Sequence, residues 1–257
     1  MFTQWKTGVG GFITAVRTLT IIPLPGQEGA FHDSLPWFSL VGLLLGLVYY
    51  SLGSLWTGLL APDWAAGGAA LLILLDIIVT GALHLDGVAD FADAMGRKGD
   101  KEARLATMKD PRVGAFGVIA LVIVLLTKWL ALERIFSHGP LSCIPFVPVI
   151  SRDMAVELLT TLPYARPGEG MGRPFSRGAT RSHRRWSHVL SLGICLLFGL
   201  PGIASFAMGW SIARVLRSLF KRVFNGVTGD LLGLSIVAIE LTLFFLFALF
   251  APFLTAP

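Results

Sequence analysis

The chain has 257 residues, 54% of them hydrophobic and only 14% charged, with a mean hydropathy of +0.72. Soluble domains carry about 25% charged residues, so this composition leaves too little polar surface to cover a water-facing globule. A soluble enzyme, a secreted disulfide scaffold and a disordered tail are excluded. Several apolar runs reach the roughly 18 residues that cross a lipid core of about 30 Å, so the chain is read as a polytopic membrane protein.

The runs contain Gly, Pro and Leu without strict alternation, which predicts an all-α protein rather than a lipid-facing barrel. The first apolar stretch, GVGGFITAVRTLTIIPLP (8–25), is interrupted by Arg17 and has no cleavage site. It is read as an interfacial or re-entrant helix, not a signal peptide. Crossings are predicted over about 36–60, 65–83, 113–136, 141–162 and 231–254, with polar segments at 84–112 and 163–185. Trp186 to Phe220 is 35 residues, which as one helix would reach about 52 Å, too long for a single crossing. Pro201-Gly202 is read as a tight turn between two short spans.

Charge sets the count and the orientation. Six Lys and Arg lie in 97–112, six in 166–185, and Arg214, Arg217, Lys221 and Arg222 precede Asn225. Seven crossings place all three clusters on one side, which the positive-inside rule makes cytoplasmic. Six would strand the last cluster and the TGD sequence after it on the other side, so seven is adopted. The expected architecture is one membrane domain over 1–257, with cytoplasmic motif loops at about 84–112, 163–185 and 217–230. The basic clusters follow topology, and no aromatic interleaving points to nucleic acid despite a pI near 9.6. Cys143 and Cys195 lack metal-like spacing and are expected to pack.

GALHLDGVADFADAMG (81–96) carries the most chemistry. Asp86, Asp90 and Asp93 are spaced i, i+4, i+7, which puts three carboxylates on one helix face. Like charges so placed need a cation to offset them. Hard oxygens without cysteine suit Mg²⁺ or Mn²⁺, the alternative being a solvated helix end paired with Arg97, Lys98 or Arg104. His84 is a ligand, a base or a hydrogen-bonded interface residue. MKDPRVGAFG (108–117) follows, with Lys109 and Arg112 as cations and Asp110 as a further carboxylate. Its Gly114 and Gly117 would let either phosphate or another backbone come close. LPYARPGEGMGRPFSRG (162–178) is a Gly- and Arg-rich loop, and Arg214, Arg217 and Lys221 form a basic stripe running into NGVTGD. Carboxylates, cations and a metal at a membrane surface read as phosphoryl or phosphoalcohol transfer. Asp76, Arg152, Asp153 and Glu157 stand in apolar surroundings, where charges are functional suspects or internal ion pairs.

In the order GALHLDGVADFADAMG, MKDPRVGAFG, Arg152 followed by PYARPGEGMG, and NGVTGDLLG, with LTIIPLP near the start, the chain resembles cobalamin synthase, the adenosylcobinamide-GDP ribazoletransferase family. Ala94 and Asn225 depart from the pattern, each standing where a glycine is usual. The resemblance implies a Mg²⁺-dependent last step of corrinoid nucleotide-loop assembly. In that step a hydroxyl of α-ribazole, or of its 5′-phosphate, attacks adenosylcobinamide-GDP and GMP leaves. It carries metal or phosphate duties to Asp86, Asp90 and Asp93, with Asp110 as an added metal ligand and Asp93 as the base. Lys109, Arg112 and Arg166 would neutralise the diphosphate, and Asp230 would bind metal or guanine nucleotide. His84, Arg152 and Arg217 complete the substrate-binding set. The implied location is the cytoplasmic membrane of a bacterium or archaeon, with the site facing the cytoplasm.

Three rivals were weighed. A CDP-alcohol phosphotransferase shares the acidic stripe, but Asp93 comes too early for its signature. A proton-coupled transporter could use Asp76 and Glu240, yet there is no repeat and the motifs gather at one surface. A structural subunit leaves the aspartate stripe unexplained. The Gly42/Gly46 pair leaves a homodimer open.

Overall fold

The computed structural model describes residues 2–166, 175 and 178–254. It is helical, and among the described residues the sole β feature is an isolated parallel bridge between Tyr164 and Val227. The helices are α1 (Phe2–Leu19), α2 (Phe38–Leu55), α3 (Ala65–Thr80), α4 (Leu83–Gly96), α5 (Lys101–Thr107), α6 (Ala115–His138), α7 (Val147–Thr161), α8 (Arg181–Leu197), α9 (Gly199–Phe224) and α10 (Gly229–Leu254).

The bundle is organised around α7, in which every residue from Val147 to Leu159 is buried. α2, α8, α9 and α10 pack around it. Glycine sets the closest of these approaches: a Cβ on Gly42 or Gly46 would collide with the carbonyls of Pro148 and Pro145. The glycine pair that the sequence offers for a dimer is therefore consumed inside the chain. These contacts make α2 antiparallel to α7. Arg184 meets Glu157 while Phe198 meets Phe146, so α8 is antiparallel to α7 as well. α2, α3, α6, α7, α8, α9 and α10 thus run alternately up and down.

Three segments are long and apolar enough to cross a bilayer: Phe31–Leu60, Ala115–His138 and Gly229–Ala251. The pair α3 and α4, bent by 90°, would make a fourth. The expected seven is thus met by three or four on length and apolarity. α3, α7 and α8 have 16, 15 and 17 residues, and α9 carries four basic residues in its last three turns. The apolar character of the exposed faces is plain on α6, where Val118, Ile119, Val122, Ile123, Leu126 and Leu130 all point outward.

One boundary differs from expectation. The break between α8 and α9 falls at Phe198–Gly199, not at Pro201-Gly202. Gly199 takes a left-handed φ of +64° that suits glycine, while Pro201 sits in the first turn of α9, where its missing N–H is harmless.

Charged groups inside the bundle join in a network. The Tyr49 hydroxyl donates to Asp76 at 2.7 Å, and Lys128 bridges Asp76 at 2.7 Å and Glu240 at 3.1 Å. Arg152 and the Ser151 hydroxyl close on the other oxygen of Glu240. Two acids and two bases cancel, which is the condition for burying charge at tolerable cost.

Candidate active site

The chain turns a sharp corner after α3, with Gly81 and Ala82 both left-handed at φ +60° and +57°. For alanine that conformation costs about 1–2 kcal/mol. The corner is held from outside by the Ile21 amide, which donates to the Val79 carbonyl at 2.8 Å. α4 then leaves at 90° to α3 and carries Asp86, Asp90 and Asp93, as the i, i+4, i+7 spacing predicts.

Two contacts fix α4. Gly87 lies against the Asp230 backbone at the start of α10, so closely that a Cβ would strike the Asp230 carbonyl. Phe91 packs on Phe220 and Phe224 at the end of α9. The segment after α7 is stitched to the same place: the Ala165 amide donates to the Val227 carbonyl, and the Val227 amide to Pro163, each at 2.9 Å. Asn225 makes the preceding turn with φ +52°, a conformation asparagine tolerates. Its departure from the usual glycine therefore keeps the backbone path. Ala94, the other departure, is fully buried within α4.

The outcome is an acidic cluster with one cation in it. Arg166 donates to Asp230 Oδ2 at 2.6 Å and to the Met108 carbonyl at 3.3 Å, and the Thr228 hydroxyl donates to the same Asp230 oxygen at 3.3 Å. Burial, then the negative charges of Asp86 and Asp230 and, least, Asp93, push the Asp90 carboxyl up to about 7, with Arg166 opposing. A carboxylate so raised is short of positive charge. Among the described residues the Arg166 Nε, which is buried, has no acceptor. It is a donor without a partner beside that cluster.

Asp93 stands apart in role. Its two oxygens accept the backbone N–H groups of Gly114 at 2.7 Å and Gly117 at 2.8 Å, at the N-terminus of α6. A Cβ on either glycine would come within 2.5 Å of the carboxylate. These glycines therefore make room for Asp93, and the carboxylate satisfies orphan amides at a helix start.

The other candidates scatter. Asp110 pairs with Arg112 at 2.9 and 2.7 Å and is held down at about 2 by those bonds; Arg112 is 87% exposed. Lys109 is exposed in the turn after α5. His84 is buried and lines a cavity of about 20 Å³ with Asp76, Lys128 and Glu240, and Arg152 belongs to the inner network. Arg217 lines a different cleft, between α7, α8 and α9. Most of the Gly- and Arg-rich loop, 167–174 with 176 and 177, lies outside the described residues. Two further features escape a reading of the sequence. Lys128 is a single cation in an apolar run with nothing in its surroundings to single it out, and the partnership of Arg166 with Asp230 spans 64 positions.

A family model described as cobalamin-5-phosphate synthase matches residues 11–249. The adenosylcobinamide-GDP ribazoletransferase of Prosthecochloris aestuarii is 40% identical over 232 residues, covering 88% of this chain and 92% of that protein. The protein of the same name from Chlorobium chlorochromatii is 38% identical over 230 residues, covering 88% and 90%. That from Pseudomonas aeruginosa PAO1 is 38% identical over 225 residues, 87% of each. No solved structure matches the chain.

Proposed function

The chain belongs to the cobalamin-5-phosphate synthase family, and from that membership we propose that it joins adenosylcobinamide-GDP to α-ribazole, or to α-ribazole 5′-phosphate, releasing GMP. The observation that supports the placement of the reaction is the meeting of Asp86, Asp90 and Asp230 with Arg166 at one end of the bundle. A ribazole hydroxyl attacks the cobinamide-side phosphorus. The new O–P bond forms, the bond to the GMP oxygen breaks, and the hydroxyl proton passes to a carboxylate.

Asp90 takes the part of base in place of Asp93. Its carboxyl is raised to about 7, close to the pH at which a general base works best, whereas each Asp93 oxygen already accepts an amide. The Arg166 guanidinium, with its unpartnered Nε, neutralises the diphosphate as charge moves toward the leaving group.

Mg²⁺ is the proposed cofactor, with Asp86 and Asp230 as the residues that would hold it beside the base Asp90. Among the described residues no three His, Cys, Asp or Glu side chains form a ready-made metal cage. Mg²⁺ commonly takes one or two carboxylates and fills its shell with water and substrate phosphate. When bound it would supply charge neutralisation at the diphosphate.

We infer seven crossings, with this end of the bundle in the cytoplasm. The alternating direction of the seven bundle helices and the three basic clusters supports that orientation. The test is GMP release by the protein in liposomes given adenosylcobinamide-GDP and α-ribazole 5′-phosphate, with Mg²⁺ or EDTA. Turnover should vanish with EDTA and fall by about 10²–10⁴ in Asp90→Asn, the range for loss of a general base. Full activity in Asp90→Asn would remove the base assignment, and activity in EDTA would remove the metal.

A further inference from the structure

A second group of charges lies outside the acidic cluster, in a cleft of about 400 Å³ lined by the last turns of α7, the first turns of α8 and the second half of α9. Its floor is compensated. His188 Nδ1 is 2.8 Å from Asp153 and Nε2 is 3.2 Å from Glu157, and since carboxylates only accept, both ring nitrogens carry hydrogen and the imidazole is a cation. Arg184 sits 3.5 Å from Glu157. Two carboxylates thus meet two cations.

Arg214 and Arg217 are left over. They lie one turn apart on one face of α9, and among the described residues neither makes a salt-bridge contact, although the Arg217 charge is felt by Glu157. The Arg214 guanidinium rests 5.1 Å above the centre of the Trp210 ring, and the Arg217 Nε is buried without an acceptor. Stacking on an aromatic face orients a guanidinium while leaving its N–H edge free. The cleft is therefore a preformed concavity with more cations than carboxylates, in which the Arg217 Nε donor lacks a partner. Neighbouring apolar side chains on α8 and α9 face outward, with Val189 62% and Val215 69% exposed, which is the setting of a headgroup-level site at a bilayer surface.

We propose that this cleft binds a phosphate group, held by Arg214 and Arg217 and walled by Trp210. Two sources share that chemistry: the phosphodiester of an anionic lipid, and a soluble phosphate or diphosphate. The proposal stands apart from the transfer reaction and is tested without its substrates.

Purified protein is placed in nanodiscs of phosphatidylcholine with and without phosphatidylglycerol, and retained lipid is counted by native mass spectrometry. In phosphatidylcholine alone and without Mg²⁺, inorganic pyrophosphate serves as the soluble probe, read by ³¹P resonance broadening. If the lipid is the source, phosphatidylglycerol is retained in preference. Arg214→Gln and Arg217→Gln then each reduce that preference about fivefold, the ratio that roughly 1 kcal/mol per basic side chain at an anionic surface gives. Arg214→Lys with Arg217→Lys keeps much of it. If the soluble phosphate is the source, pyrophosphate broadens in the wild type and not in the Gln pair. Arg181→Gln with Arg185→Gln, at the same level outside the cleft, leaves either signal in place. An equal loss in that control, or neither lipid preference nor pyrophosphate binding in the wild type, overturns the proposal.

Discussion

Two of the sets of ionised side chains in this molecule are built on opposite principles. The inner network joins Asp76, Lys128, Glu240 and Arg152 into a neutral group in which three helices besides α7 supply partners. The outer cluster gathers Asp86, Asp90 and Asp230 around Arg166 alone and leaves Asp90 raised to about 7. Buried acids matched by an equal number of bases hold helices in register and present no net charge to a ligand, even though Arg152 Nε and Nη2 have no acceptor among the described residues. Charge left in excess at a surface is a standing demand for a ligand. On that criterion the inner acids are scaffold, which also weakens a proton-carrier role for Asp76 and Glu240: both are already clamped by cations.

The comparison breaks most sharply at Lys128. Lys128→Met leaves two carboxylates facing each other inside the bundle, and loss of one partner of a buried pair costs about 3–5 kcal/mol. The variant should unfold in detergent at far lower denaturant than the wild type. Adding Asp76→Asn should restore part of the loss, because Arg152 still serves Glu240. If Lys128→Met melts with the wild type, the network is ornament and the distinction between the two sets collapses.

A smaller effect belongs to the joint between the regions, where Asp93 ties α4 to the start of α6. Hydrogen bonds to a charged group contribute about 1.5–3 kcal/mol. Asp93→Ala should lose an amount in that range, and Gly117→Ala should lose a similar amount by displacing the carboxylate. The two losses should not add, since both remove one interaction. Additive losses by equilibrium unfolding would mean that Gly117 is small for some other neighbour.

How much of this was legible beforehand follows from the range of each interaction. The helical class and the placing of three aspartates on one face of α4 rest on composition and local spacing, and they are read directly from residues 81–96. The role of Asp93 could not be, because its partners are backbone amides 21 and 24 positions away, and an amide leaves no mark in a sequence. Gly114 and Gly117 were visible as small residues, without a sign of what they accommodate. The break at Gly199 was displaced to Pro201 because proline is the louder signal, yet in a first turn it is silent. Helix length misled as well. α3, α7 and α8 are short for an isolated crossing, and of the three α7 is the one buried against neighbours along most of its length.

The mildest consequence of the excess charge is its response to pH. Without a cation, Asp90 has a folded value of about 7 against an ordinary 3.8, so between those limits the folded protein binds more protons than the unfolded chain. Stability then falls as pH rises from about 4 to 7 and levels off above, the reverse of what a paired carboxylate gives. Thermal melting in EDTA across pH 4–8 should therefore show Asp90→Asn gaining on the wild type with rising pH, the two curves running parallel beyond 7. Asp86→Asn should shrink the difference, because it removes the nearest like charge. Mg²⁺ should shrink it too if the cation occupies the cluster, since it favours the ionised carboxylate that the cluster otherwise resists. A difference between wild type and Asp90→Asn that stays constant across the range would mean that Asp90 is ionised throughout, and that the cluster has its compensating charge already.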